Sequence, residues 1–131
     1  MKFGTLFLAA ALTVGVASAN DTMKKSMSLM SQGMSNIQAG FMNNNIELIN
    51  SGVKLVSDGN KLFSTVDAIK PYLPDNKKHL VNTAKIHSDV IKQQINVLTG
   101  RLDEKSFTKA GQAYSDMLNA CSSCHAIVRN W

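Results

Sequence analysis

Met23, Met27, Met30, Met34, Ile37 and Phe41 recur at steps of 4, 3, 4, 3 and 4, which places six apolar side chains on one stripe of an α-helix. Asn20 or Asp21 is positioned to cap that helix, and Gly40 with Met42-Asn43-Asn44-Asn45 is expected to break it. A second stripe runs through Ile49, Val53, Val56, Phe63, Val66 and Ile69, with Leu48, Leu55 and Leu62 on an adjoining line. It stops at Pro71-Tyr72-Leu73-Pro74, because an interior proline removes an N–H and clashes with the preceding turn. Leu80, Ala84, Ile91, Ile95 and Leu98 make a third stripe, with Gly100 expected to end it as a left-handed cap. Asp103, with Leu102 before it, is the natural N-cap of a fourth. There Phe107, Ala110, Tyr114, Met117, Leu118, Cys121, Cys124, His125 and Val128 repeat the same steps. Nothing reads as a strand. Four helices on short connections predict an all-α, antiparallel up-down-up-down four-helix bundle.

The chain has 131 residues, enough for one domain. Its first nineteen stand apart from the fold. Met1-Lys2 is a short basic start, Phe3 to Val16 is an almost uncharged Leu- and Ala-rich run, and Ala17-Ser18-Ala19 is a signal-peptidase pattern. The apolar run falls short of the roughly 20 residues that span a bilayer. Residues 1–19 are therefore expected to be a cleaved signal peptide, leaving a periplasmic domain of residues 20–131 with no membrane span. The formal charge drops from +5 to +4 when Lys2 is removed. Lys24-Lys25 and Lys77-Lys78 are the only basic doublets, without aromatic interleaving or an arginine cluster, so no nucleic-acid partner is expected.

Export changes how the two cysteines are read. They stand in Cys121-Ser122-Ser123-Cys124-His125, where a disulfide, a redox-active thiol pair and a haem attachment site compete. A thioredoxin-like pair wants a βαβ context, and zinc wants a second pair of ligands at suitable spacing; neither is present. One covalent haem c uses all three residues, with two thiols to add across the vinyl groups and an imidazole beside them for the iron.

With Cys-x-x-Cys-His on its last helix, the chain resembles the class II c-type cytochromes, the family of cytochrome c prime and its six-coordinate four-helix-bundle relatives. Ala113-Tyr114-Ser115-Asp116 leads into the motif as a small-aromatic-small-acid run does in that family. Arg129, four residues after His125, matches a basic residue common there, while Val128 stands where a tyrosine is usual. The resemblance covers the mature chain in layout and residues 113–129 closely. It implies thioether bonds at Cys121 and Cys124, proximal ligation by His125, and a distal position on the first helix that falls on Met27. Such bundles are often homodimers through helices 1 and 2. Arg129 fits equally a haem propionate or the last turn of a helix.

Bundle geometry points to the same distal residue. Helices 1 and 4 of such a bundle run antiparallel, and His125 lies about 9 Å from the C-terminus at 1.5 Å per residue. Met27, seven residues into the mature chain, stands at nearly the same level, with Met30 roughly 4.5 Å deeper as second choice. A methionine stripe also packs well as core beside a flat cofactor, and thioethers suit Cu(I) as well. His79 and His87 are further candidates for the distal ligand. Two functions follow. With Met27 bound, His/Met ligation raises the reduction potential and suits an electron carrier between soluble redox proteins. With Met27 only covering the iron, a five-coordinate site would bind nitric oxide or carbon monoxide. A peroxidase-like enzyme would want a distal acid–base residue, which this stripe does not offer.

Overall fold

The computed structural model describes residues 14–129, with side-chain surroundings from residue 21 onward. Residues 1–13 of the expected signal segment lie outside the described residues. Helix α1 spans Val14–Met42, α2 Ile46–Lys61, α3 Val66–Ile69, α4 Val81–Asp103 and α5 Phe107–Val128. Two 3-10 turns, Lys70–Tyr72 and Asp75–Leu80, join α3 to α4. Among the described residues there is no strand, and no helix is long and apolar enough to cross a membrane.

The ends of the helices have local causes. Asn44 takes a left-handed φ of 52°, a conformation asparagine tolerates better than most residues. Asn45 then caps α2, its side chain accepting from the Leu48 N–H at 2.9 Å. α1 itself passes through Asn20 and Asp21 instead of starting at them.

Other boundaries also differ from the expectations set by periodicity. The second stripe is not one helix: α2 ends at Lys61, and Thr65 opens the one-turn α3 by accepting from the Ala68 N–H at 3.1 Å. This break lets Phe63, Ile69 and Leu73 fold over one end of the molecule and bury against Ala84. Gly100 does not end α4, which runs to Asp103; Lys105, at φ 55°, makes the reversal instead. Asp103 accordingly closes α4, and Ser106 occupies the N-cap position of α5.

Gly40 does not break α1. It is buried in a seam where α1 and α2 lie in backbone contact, Gly33 and Gly40 on one helix and Gly52 and Gly59 on the other. A Cβ on Gly52 would come within 2.5 Å of the Gly33 carbonyl oxygen, and one on Gly40 within 2.8 Å of the Asn45 carbonyl oxygen. The pairing order (40 with 49, 33 with 52, 30 with 59) makes the two helices antiparallel. α4 and α5 form a second close hairpin, in which Ala110, Ala113, Met117 and Ala120 bury with Ile91, Ile95, Leu98 and Leu102. α2 meets α4 more sparsely, and α1 meets α5 more sparsely still.

Candidate haem-binding cavity

The sparse α1–α5 contact has a physical cause: a cavity of about 500 Å³ separates the two helices. Met27, Met30 and Met34 line it from α1, and Cys121, Cys124, His125 and Arg129 from α5. All five residues singled out in the sequence, Met27, Cys121, Cys124, His125 and Arg129, therefore face one space. His79 is exposed and His87 half-buried, and neither lines it.

Helical geometry explains the α5 wall. Cys121, Cys124 and His125 sit at i, i+3 and i+4, so they share a face, and α5 remains helical through all three. The thiols are not bonded to each other. Burial, and second the neighbouring Cys124, push the Cys121 thiol up to about 11, and burial raises Cys124 as well. Nucleophilic redox thiols need the opposite shift, so the disulfide-exchange reading loses support. His125 moves the other way: burial first, and Arg129 second, hold its pKa below the ordinary imidazole value. Both causes favour the neutral form, which is the one that offers a lone pair to a metal.

The α1 wall is apolar where the three methionines stand. Met30 and Met34 are buried in the core, whereas Met27 is half-buried and packs against both apolar clusters. Ser31, Ser35 and Gln38 bring polar groups to the rim, opposite the exposed Leu118 and Arg129. Tyr114 lines the cavity and meets Phe41 edge-on, centroids 6.3 Å apart. At the C-terminal end of α5, Lys77 donates to the Ala126 carbonyl at 3.0 Å, satisfying an oxygen in the last helical turn.

Two further lining residues were not anticipated. Asn60 on α2 and Ser88 on α4 are both buried and bonded to each other in both directions: Asn60 Nδ2 donates to the Ser88 carbonyl at 3.0 Å, and Ser88 Oγ donates to Asn60 Oδ1 at 2.9 Å. Their signal in the sequence is a polar residue filling a gap in an apolar stripe. Asn60 completes the series 49, 53, 56, 60, 63, and Ser88 the series 84, 88, 91, 95.

Comparison of the chain with protein-family models, curated proteins and solved structures gave no match. The fit of a haem therefore rests on the cavity itself. Its volume lies within the roughly 300–1,000 Å³ of small-molecule sites, and sulfur and apolar side chains make much of its wall. Two thiols and an imidazole are the groups that attach and ligate a covalent haem, and the facing thioether is a further donor suited to its iron. Among the described residues, no three His, Cys, Asp or Glu side chains converge to hold a bare metal ion. The residues present fit a haem.

Proposed function

We propose that the chain is a periplasmic monohaem c-type cytochrome with an antiparallel four-helix-bundle fold, carrying electrons between soluble redox proteins through a His125/Met27-ligated iron. The observation that carries this reading is that Met27, Cys121, Cys124, His125 and Arg129 line one cavity although 94 residues separate Met27 from Cys121. Bound haem would supply an iron centre that accepts and returns a single electron. Cys121 and Cys124 would tether it by thioether bonds, and His125, in its neutral form, would bind its iron from α5.

Met27 would offer the second axial donor from α1. An imidazole and a thioether are both uncharged donors, and helices on opposite sides of the cavity hold them. Little rearrangement would then accompany electron transfer. The buried Met30, Met34 and Ile91 make the inner wall apolar, while Arg129 at the exposed rim would offer a propionate a charge-assisted bond.

The test is Met27→Ala, which removes the sulfur while keeping good helix propensity. The parent holoprotein should be low-spin by optical and EPR spectroscopy, and refuse carbon monoxide. The variant should become high-spin, lose reduction potential and bind the gas. A parent that is already high-spin and binds nitric oxide or carbon monoxide would replace electron transfer with the five-coordinate, gas-binding function. A low-spin state that survives Met27→Ala would transfer the ligand role to Met30, which Met30→Ala then checks.

A further inference from the structure

Among the described residues, Ser26, Asn60 and Ser88 are the buried polar side chains, and they form one band. Ser26 Oγ on α1 donates to the Gly59 carbonyl on α2 at 2.8 Å. The next residue, Asn60, exchanges two hydrogen bonds with Ser88 on α4. Three helices are thus pinned at a single level, which is the level of the cavity: Asn60 and Ser88 line it, and Ser26 adjoins Met27 and lies 3.8 Å from Met30 Sδ.

The location matters because α1 and α5 scarcely touch across the cavity. The separation between the methionine wall and the cysteine–histidine wall is instead transmitted through α1 to α2, α2 to α4 and α4 to α5. Apolar burial is non-directional, whereas buried hydrogen bonds are directional and add to the register that side-chain interdigitation sets. Gly59 reinforces the first link, since a Cβ there would come within 2.6 Å of Met30 Cγ. The second link, α2 to α4, has no comparable glycine seam, and the Asn60–Ser88 pair supplies its register.

We propose that Ser26, Asn60 and Ser88 are positioning residues that fix the span between α1 and α5, and so set how closely the Met27 sulfur stands to the axis defined by His125. The spectroscopic consequence, though not the span itself, rests on the His/Met reading above. Cutting the band lets α1 move away from α5 while the helices remain folded.

The experiment uses holoprotein carrying non-cysteine spin labels at the exposed positions Ser28 and Asn119, one on each wall-forming helix. Asn60→Ala removes both bonds to Ser88, and Ser88→Ala removes one of them, so a graded effect is expected even if the first variant folds poorly. Leu102→Ala, in the core but away from the cavity, controls for loss of stability alone. At equal loss of Tm, the Asn60 and Ser88 variants should broaden the label–label distance distribution and the control should not. The high-spin, carbon-monoxide-binding fraction should rise about tenfold, as for a minor open state becoming populated. An unchanged distance distribution in Asn60→Ala and Ser88→Ala overturns the proposal. Broadening in a protein whose spin state ignores Met27→Ala upholds the positioning role and overturns the ligation reading instead.

Discussion

Cys121 and Cys124 sit three residues apart on an unbroken helix, so both sulfurs are presented to one wall of the cavity, with His125 beside them. Because covalent attachment needs both thiols, Cys121→Ala combined with Cys124→Ala should give protein whose haem separates on denaturing electrophoresis. Haem that still migrates with the double variant would refute the attachment. At this scale much of the candidate site was legible, since the pentapeptide is contiguous and its chemistry depends on residue type. Met27 was reachable by counting turns from both termini. Asn60 and Ser88 were legible only as gaps in a stripe, because a polar residue at a core position becomes meaningful once its partner on another helix is known.

Helix positions followed the 3.6-residue period closely, and helix ends did so less well. Gly40 and Gly100 show why. Both are helix-weakening by propensity, and both lie inside helices. Gly40 and its seam partners let two backbones touch, whereas a Cβ at Gly100 would meet nothing within 4 Å. The substitutions should therefore have opposite signs. Gly100→Ala should raise stability by roughly 0.5–1 kcal/mol by lowering the entropy lost on folding. Gly52→Ala should lower it by about 1–3 kcal/mol, because the obstructing atom is the Gly33 carbonyl oxygen and the helices must separate to admit the methyl group. Urea denaturation of both variants checks the pair, and a stabilising Gly52→Ala would show that the seam is looser than its geometry indicates. The split of the second stripe at Leu62–Ser64 was illegible for a related reason: periodicity continues through it, and burial of Phe63 and Ile69 against Ala84 decides the turn.

Across the whole molecule, the core divides into a large cluster along both hairpins and a smaller one over the end that carries the α3 turn. The cavity lies beside both. Its mouth is open at the exposed Ser31, Ser35, Gln38 and Arg129, while Met27, Met30, Met34 and Ile91 make its inner wall apolar. A chain prepared without haem must therefore collapse or admit water along the α1–α5 side, and ligand bound only to the native state stabilises it by mass action. Haem-free protein should melt at a lower temperature and over a broader transition than holoprotein. A cooperative haem-free transition at the holoprotein's Tm would argue that the cavity is not a cofactor site.

The sequence by itself determined the all-helical character, the approximate placement of the long helices, and the spacing that puts Cys121, Cys124 and His125 on one helix face. Each is a property of neighbouring residues within one helix, where the repeat is fixed by backbone geometry. Tertiary structure decided that Met27, Met30 and Met34 line a common cavity, that Gly40 joins helices instead of ending one, and that Ser26, Asn60 and Ser88 form a single band. Those are relations between helices. They depend on how closely two backbones approach and on which polar groups meet after burial, and neither distance is encoded in the period of a single stripe.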